Sequence, residues 1–220
     1  MPLTIHPLPE AALTPEEAEA WAKIPVSIIG DELNRSGVMD AGIKPLGDGR
    51  PFAGPALTVD CMVGDNSALH HALTLLEAGW VLVADGHRHV DTALWGDIMH
   101  SAAKVRRAAA VVIDGSMRDR VAIAASGLPA YARGVCPRGP HKGWGGAVNV
   151  PIQCGGVAVA PGDLVVGDAD GVAVVRADQL PGLMERCLKR MAREEEVLKE
   201  IAAGRTTVEI LGIAAEKVGR

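Results

Sequence analysis

The stretch Val111-Val112-Ile113-Asp114-Gly115-Ser116-Met117-Arg118-Asp119 decides the fold of this chain. The apolar run Ala109–Ile113 predicts a short buried β-strand, because it is rich in β-branched residues and is followed by polar ones. Asp114–Asp119 follows directly and is expected to form an irregular loop at the carboxyl end of that strand. Binding sites in α/β sheets usually lie at the carboxyl ends of strands. This segment therefore predicts both an α/β fold and the place of its functional site.

Short apolar runs and helical patterns alternate on both sides of this segment. Thr14-Pro15-Glu16-Glu17 predicts a helix start, with Thr14 as the cap and Glu17 completing a capping box. A loop is predicted over 37–55, which is rich in Gly, Pro and Asp, and a hairpin turn over 167–171. Further helices are predicted over 26–36, 66–77, 96–107 and 120–126, and strands over 56–61, 80–84, 109–113, 130–132, 147–152, 157–159, 164–166 and 172–175. The pattern indicates a mixed α/β fold with helices early and antiparallel strands late.

A long helical pattern closes the chain, from about Asp178 to Ala203, and ends before Gly204. Its apolar residues recur three, four and seven positions apart, which is typical of one helix face. The position that this stripe skips, between Met191 and Leu198, is Glu194. A carboxylate on an apolar face needs a reason. Two interpretations stay open: an exposed face or an ion pair with a neighbouring arginine, and a functional role.

The composition excludes several classes of protein. Only 3% of the 220 residues are aromatic, whereas 48% are hydrophobic, so the core must consist of Ala, Val, Leu and Ile. Proteins that bind single-stranded nucleic acids stack bases on aromatic side chains, which are too few here. The net charge of −5 also argues against nucleic acid as a partner. Without a basic, apolar leader or a long apolar helix, we expect neither secretion nor a membrane partner.

Four cysteines, spaced far apart and without a CxxC pair, predict a reduced cytoplasmic protein. They also exclude a zinc site built from cysteines. Several histidines lie near the candidate site in the sequence. His87 and His89 are the pair whose spacing best fits a zinc site, because on a strand both would face one ion. Three ligands would be required. No spacing supplies the third, so pocket or surface histidines are the favoured interpretation.

Two short motifs offer groups for catalysis. Gly96-Asp97 lies at a predicted helix start, where free backbone N–H groups attract anions. Asp97 has a structural interpretation too, as an acid complementing the helix dipole. Arg118 presents a planar fork that matches a carboxylate, and Asp119 presents a carboxylate ligand for a hard cation such as Mg²⁺. The structural alternative for this pair is a weak local ion pair on the surface.

An ordered series of motifs in this chain resembles the RraA-like family, and specifically its class II pyruvate aldolase branch. That branch contains 4-hydroxy-4-methyl-2-oxoglutarate and 4-carboxy-4-hydroxy-2-oxoadipate aldolases. The resemblance covers about Val26 to Gly212. The stretches that carry it are Gly54–Val59, Gly64–His70, Leu94–Asp97, Val111–Asp119, Leu128–Gly134, Val148–Gly156, and Pro161–Gly162–Asp163 through to Val172.

The resemblance implies a swivelling β/β/α core with N-terminal helices and a long C-terminal helix, assembled as a homotrimer or hexamer. Residues 1–176 would form the catalytic domain, and 177–220 a helical extension that packs on a neighbouring subunit. It implies that Arg118 binds the carboxylate of a pyruvyl unit and that Asp119 ligates Mg²⁺ or Mn²⁺. The backbone of Gly96, Asp97, Ile98 and Met99 would hold the substrate, Asp97 would orient a water on the metal, and Glu194 of a neighbouring subunit would complete the outer shell.

The implied activity is metal-dependent cleavage of a 4-hydroxy-2-oxo acid to pyruvate and a second oxo acid. Decarboxylation of oxaloacetate would be a side activity, because it passes through the same enolate. The family also contains RraA proteins, which inhibit RNase E by binding it, and inactive structural trimers are a third possibility. The C-terminal helix with Glu194 favours an enzyme. No glycine-rich loop supports the methyltransferase label of some relatives.

Three histidines depart from the pattern of this family. His87 and His89 replace small or glycine-rich residues, and His100 replaces a small one. The part of the substrate beyond its pyruvyl unit is therefore left open, with an acidic or sugar-acid group as one possibility.

Overall fold

A ten-stranded mixed sheet forms the centre of the computed structural model, which describes residues 2–11 and 13–213. Its strands and those of a separate hairpin are β1 (Leu3–Ile5), β2 (Lys44–Pro45), β3 (Phe52–Cys61), β4 (Val81–Asp85), β5 (Ala93–Trp95), β6 (Ala110–Met117), β7 (Ala130–Val135), β8 (Gly146–Val148), β9 (Ile152–Cys154), β10 (Val157–Val159), β11 (Leu164–Gly167) and β12 (Val172–Val175). The helices are α1 (Pro15–Trp21), α2 (Val26–Glu32), α3 (Ser67–Leu75), α4 (Asp97–Val105), α5 (Arg120–Ala125), α6 (Leu183–Ala202) and α7 (Thr207–Leu211), with a 3₁₀ turn at Ala177–Gln179.

Four parallel strands, β3, β4, β6 and β7, lie side by side in the middle of the sheet. The order of the strands along the main part of the sheet is β1-β8-β3-β4-β6-β7-β2. β5 pairs in parallel with the end of β6, and β11 of the β11–β12 hairpin pairs with the start of β3. The β9–β10 hairpin forms a separate two-stranded sheet. Helix α3 connects β3 to β4, and α4 lies between β4 and β6, as parallel pairing requires. The carboxyl ends of these central strands therefore lie at the same edge of the sheet.

Alternate side chains of the central strands enter two different cores. On one face, Leu57, Leu82 and Val111 pack under α3, α4 and α5. On the other face, Val83 and Val112 pack against the β9–β10 hairpin. A third cluster joins α1, α2, the β11–β12 hairpin and the start of α6. The first of these faces carries the candidate site described below.

The predicted architecture is confirmed, with differences at the ends of elements. The capping box at Thr14 is formed, since its Oγ1 accepts from the Glu17 amide at 3.2 Å. The predicted loop over 37–55 contains β2 and the start of β3, and the predicted strand over 147–152 divides into β8 and β9. Asn149, with φ of 57°, makes that division. Two short strands, β1 and β5, have no signal in the sequence.

The candidate loop Asp114–Asp119 is only partly a loop. β6 continues to Met117, four residues beyond its predicted end, because β5 and β7 both pair with this extension. Only Arg118 and Asp119 lie outside the strand. Asp114 is therefore a buried strand residue. Its carboxylate pairs with Arg133 Nε and accepts the Gly155 amide at 2.7 Å, so it serves the structure.

The C-terminal helix α6 begins at Leu183, later than predicted, and its first half packs on its own chain. Leu183 and Cys187 are buried against α2 and the β11–β12 hairpin. Its second half is open to solvent, with Leu198 64% exposed. Among the helices of the described residues, none has both the length and the apolar content needed to cross a bilayer.

Candidate functional site

An open cavity of about 410 Å³ lies where the start of α3, the β5–α4 turn and the 138–146 loop meet. Two cations, Arg118 and Lys142, are among its lining residues. Lining residues that carry the argument below are Asn66, Gly96, Asp97, Ile98, Met99 and Arg118. The structure thus brings the predicted residues from two separate motifs to one cavity.

Arg118 and Asp119 leave the sheet together at the end of β6. The Arg118 amide donates to the Trp95 carbonyl at 2.9 Å, which ties this pair to the β5–α4 turn. Asp119 has φ of 59° and ψ of 35°, a left-handed conformation that Asp tolerates better than most residues. Both side chains are a little over two-fifths exposed, and Nε of Arg118 lies 3.6 Å from Oδ2 of Asp119. Arg118 lines the cavity, whereas Asp119 is exposed beside it without being one of the lining residues.

Gly96 allows the two motifs to meet. The Asp97 amide donates to Oδ2 of Asp119 at 3.0 Å. A Cβ on Gly96 would lie 2.7 Å from that same oxygen and 3.1 Å from two atoms of Arg118. Its backbone is extended, with φ of −154°, so it is glycine's missing side chain that the contact requires.

The first turn of α4 presents backbone donors to the cavity. Gly96 has no side chain with which to cap the helix, and amides of the first turn have no intrahelical acceptor. The Asp97 amide is already bound by Asp119, which leaves those of Ile98 and Met99 for an anion. The Asp97 side chain is half-buried beside them, whereas Ile98 is 82% exposed. The predicted substrate-binding role of this backbone stays a prediction, and the first of its amides already donates to Asp119.

Two lining residues were missed by the sequence predictions. Asn66, buried at the start of α3, donates from Nδ2 to the Leu94 carbonyl at 2.9 Å and to the Met99 sulfur at 3.2 Å. Its Oδ1 has no hydrogen-bond partner in the described part of the chain. Lys142 reaches the cavity from the 138–146 loop. No pattern in the sequence marks either residue, because only the tertiary fold brings them to Arg118.

A buried carboxylate anchors the loop that carries Lys142. Asp65 is fully buried, and its Oδ2 accepts the amides of Gly143 at 2.8 Å and Trp144 at 3.0 Å. Burial alone would raise the pKa of Asp65, but hydrogen bonds from Ser67 and from these amides lower it below its usual value. The anion thus fixes a glycine-rich loop that would otherwise be free to move.

The histidines near the site have separate roles. His100 is buried behind the cavity: its Nδ1 accepts from Trp95 Nε1 at 3.3 Å, and its Nε2 lies 2.8 Å from Ser126 Oγ. Burial lowers the pKa of His100. His70 lines the cavity, and burial, aided by the nearby Lys142 charge, lowers its pKa as well. Both histidines are therefore favoured in their neutral form.

His87 and His89 do not face a common ion, because 87–89 is a turn and no strand. His87 has φ of 56° and lies against carboxylates of β3 and β4. His89 Nε2 lies 3.2 Å from the hydroxyl of Thr92 instead. Neither residue lines the cavity around Arg118.

Glu194 is not among the residues that line this cavity. It lies on the solvent-exposed half of α6, where its side chain is 56% exposed and Oε1 is 3.8 Å from Arg190 Nε. Within one chain, α6 packs against α2 and α7. Its expected role at a neighbouring subunit's site stays a prediction.

The family model Aldolase/RraA, of the RraA-like group, matches residues 26–174. The chain belongs to the Aldolase/RraA family. A protein of Halalkalibacterium halodurans named "Putative 4-hydroxy-4-methyl-2-oxoglutarate aldolase" is 38% identical over 172 residues, which cover 78% of this chain and 82% of that protein. The fold predicted from the motifs is confirmed by this match and by the structures of relatives.

Two solved structures that resemble this chain belong to RraA proteins, which are named as inhibitors and not as aldolases. The RNA-processing inhibitor RraA from Thermus thermophilus has a TM-score of 0.64 and 27% identity, covering 70% of this chain and 93% of that one. Streptomyces coelicolor RraAS2, described as an unusual member of the RNase ES inhibitor RraA protein family, has a TM-score of 0.73 and 27% identity, covering 90% and 100%. Since that likeness extends over 90% of this chain, a C-terminal extension does not by itself separate an enzyme from an inhibitor.

Proposed function

We propose that this member of the Aldolase/RraA family is a lyase that cleaves a 4-hydroxy-2-oxo acid of the 4-hydroxy-4-methyl-2-oxoglutarate type. The products would be pyruvate and a second oxo acid. The observation that carries this proposal is that Arg118 and the amide end of α4 line one open cavity, while Asp119 contacts both of them through its Oδ2. A 2-oxo acid needs a cation for its carboxylate and donors for the charge that develops on its keto oxygen.

The residues fit a divalent metal cofactor, Mg²⁺ or Mn²⁺. Asp119 supplies one carboxylate, and its side chain is 44% exposed. Among the described residues, its Oδ2 accepts a hydrogen bond from the Asp97 amide and lies 3.6 Å from Arg118 Nε. Mg²⁺ commonly uses one or two carboxylates and keeps several waters, which matches so open a donor set. When bound, the metal supplies Lewis-acid stabilisation of negative charge on the substrate. Gly96 keeps this carboxylate accessible by leaving space beside it.

The side chains then divide the work of cleavage. Arg118 binds the pyruvyl carboxylate, and the amides of Ile98 and Met99 orient the substrate. As the C3–C4 bond breaks, the proton on the C4 hydroxyl leaves toward the Asp97 carboxylate, directly or through a water. The electron pair of that bond forms pyruvate enolate, which takes a proton at C3. Oxaloacetate would yield the same enolate by losing CO₂, so decarboxylation is the expected side activity.

The two cations of the cavity indicate a dicarboxylate substrate. Arg118 would bind one carboxylate, and Lys142, the second cation that lines the cavity, would bind the other. The unpartnered Oδ1 of Asn66 would accept a hydrogen bond from a substrate hydroxyl. These groups favour a 4-hydroxy-2-oxo diacid over an uncharged sugar, and the three histidines that depart from the family pattern are not needed for this recognition.

The complete site would require an oligomer. We infer that α6 and its neighbours, within 177–220, pack on an adjacent subunit of a homotrimer or hexamer and bring Glu194 to its outer shell. The exposed second half of α6, with Leu198 and Ile201, supports this arrangement. Four free cysteines, three of them buried, are consistent with the expected reducing cytoplasm.

Pyruvate release after chelation and metal addition tests the proposal. Wild-type protein should release pyruvate from 4-hydroxy-4-methyl-2-oxoglutarate and from oxaloacetate with Mg²⁺ or Mn²⁺, and stop with a chelator. Asp119→Asn keeps a residue that tolerates left-handed φ and should lose at least about 100-fold in kcat/KM. Asp91→Asn, a change to an exposed aspartate that does not line the cavity, is the matched control. Normal turnover by Asp119→Asn would remove Asp119 from the site.

A second candidate function rests on the likeness to the two RraA structures. An RraA-type protein would inhibit an RNase E enzyme by binding and would need no metal. Measuring RNase E activity and pyruvate release on the same preparation separates the two. Inhibition that survives Asp119→Asn, with no pyruvate from any 2-oxo acid or metal tested, would favour the inhibitor.

A further inference from the structure

The second face of the sheet carries a cluster of charged side chains away from the cavity. Asp60, Asp85 and Asp114 are in register on β3, β4 and β6, and they alternate with residues that pack under the helices. Asp114 is satisfied by Arg133, which also binds Asp40 through two bonds of 3.0 Å. Asp60 and Asp85 have no such cation.

His87 is the cationic or coordinating partner that the structure gives to these two carboxylates. Its Nε2 lies 3.0 Å from Oδ1 of Asp60 and its Nδ1 3.7 Å from Oδ1 of Asp85. The His87 amide donates to Asp85 at 2.7 Å, which turns the side chain back over the sheet. In the described residues, neither carboxylate has an ion pair with Lys or Arg. Two acids therefore share one imidazole.

The contact between His87 and Asp60 does not have the form of a hydrogen bond. Oδ1 of Asp60 is buried and has no hydrogen-bond partner in the described part of the molecule, although Nε2 is only 3.0 Å away. Two ligand atoms at that separation, each about 2.1 Å from one ion, would subtend about 90°, the angle of adjacent ligands in an octahedron. One ligand atom from each of Asp60, Asp85 and His87 lies within 4.8 Å of the other two.

We propose that Asp60, Asp85 and His87 bind a divalent first-row transition ion, such as Zn²⁺, Co²⁺ or Mn²⁺, with water completing its shell. An imidazole beside two carboxylates selects such ions over Mg²⁺, which prefers oxygen ligands alone. The opening is sufficient for entry, because the His87 side chain is 43% exposed and that of Asp60 34%.

The bound ion would join β3 to the β4–β5 turn. Because it lies on the opposite face of the sheet from Arg118 and Asp119, its expected role is to stabilise the fold and not to take part in cleavage. Binding to the native state alone raises the melting temperature by mass action. This inference does not depend on the proposed aldolase activity.

The test uses full-length Asp119→Asn protein, stripped with a chelator, so that the candidate cofactor site is disabled. Titration with Co²⁺, followed by its visible absorption and by calorimetry, should give one bound ion, and Zn²⁺ should raise the melting temperature. Adding His87→Ala should weaken Co²⁺ binding at least tenfold and abolish the thermal shift, and Asp60→Asn should do the same. His89→Ala, two residues away, should leave binding unchanged.

Each outcome decides the assignment. Absence of Co²⁺ binding by Asp119→Asn, or an equal loss in the His87→Ala and His89→Ala variants, would overturn it. Displacement of Co²⁺ by an equal concentration of Mg²⁺ would overturn the choice of a transition ion. His87→Ala with wild-type circular dichroism shows that a lost signal is not lost folding, and Asp60→Asn replaces it if His87→Ala fails to fold.

Discussion

His100 shows how a histidine near an anion site can serve the structure. Its Nδ1 must be unprotonated in order to accept the Trp95 indole N–H, so Nε2 carries the proton and donates to Ser126. Trp95 directly precedes Gly96 in the β5–α4 turn. The hydrogen bond therefore ties this turn to α4 from behind the cavity. A charged imidazole would lose its acceptor atom and the bond with it.

His100 predicts a loss of stability in mild acid. Its folded-state pKa lies below the unfolded value of about 6.5, so below pH 6.5 the unfolded chain binds a proton that the folded chain does not. The free energy of unfolding should then fall as pH drops from about 6.5 to the folded pKa, by at most about 1.4 kcal/mol per pH unit. Above pH 6.5 this contribution is fully present and constant.

Urea unfolding of wild type and His100→Gln at pH 7.5 and 5.5 measures the effect. Glutamine offers an acceptor and a donor but does not titrate, so its stability should change less between the two values. His70 also has a lowered pKa, and it is present in both proteins, so its contribution cancels in the comparison. Equal losses in the two proteins would show that His100 is not the responsible group.

For individual residues, the sequence predicts contacts between neighbours in the chain. It does not predict contacts between residues that only the tertiary fold brings together. Arg118 and Asp119 are adjacent in the chain, and Gly96–Asp97 has the form of a helix start, so both could be predicted. Lys142 comes from a loop without any pattern. The contact of His87 with Asp60 was likewise hidden, because it depends on the register of β3 and β4, which places Asp60 opposite Asp85.

Among the elements, the β5–α4 turn is the one whose geometry depends on a missing side chain, the absent Cβ of Gly96. The first turn of α4 can approach Asp119 only because residue 96 has no Cβ. This close contact sets the angle at which the free amides face Arg118. The contact between α4 and Asp119 thus depends on one missing side chain, which the hydrophobic pattern of the helix does not reveal.

Gly96→Ala should displace Asp119 and break its bond to the Asp97 amide. Alanine is allowed at φ of −154°, so the loss comes from crowding, with an expected cost of about 1–3 kcal/mol in stability and at least about tenfold in kcat/KM. Gly171→Ala is the control, because its Cβ would meet nothing within 4 Å and its φ is not positive. Thermal unfolding and pyruvate release measure both effects. Similar values for the two variants would contradict this account.

Element types were more predictable than their ends. The alternation of apolar runs with helical patterns correctly placed the central strands, because burial on both faces leaves a continuous apolar run. β6 exceeded its predicted end because polar Asp114 pairs with β4, and Ser116 and Met117 pair with β5 and β7. β1 and β5 have only three residues each, too few for any period to be detected.

For the whole molecule, the second half of α6 is the surface that we propose to contact a neighbouring subunit. Its exposed apolar residues and Glu194 share one helix, and the chain's own site lies elsewhere. If a site combines residues of two subunits, variants of different residues can complement each other, which is impossible for a site within one chain. Two variants, each inactive alone, can restore activity when their subunits assemble together.

Glu194→Ala should lower kcat at least about tenfold without loss of the oligomer. Glu195→Ala, an exposed acid on the same helix, should retain activity. Mixing unfolded Glu194→Ala and Asp119→Asn chains and refolding them together should restore part of the activity, because some sites then combine both native residues. No recovery in mixed oligomers, verified by mass spectrometry, would place Glu194 outside the site.

The anchoring of the 138–146 loop by Asp65 also determines how fast individual amide protons exchange with solvent. Exposed amides of this loop that donate to no protein acceptor should exchange within seconds in deuterated water. Those of Gly143 and Trp144 should be much slower, because both donate to a buried carboxylate. Asp65→Asn leaves one acceptor oxygen and no charge. It should speed exchange at these two amides, while those of the β4 core keep their protection.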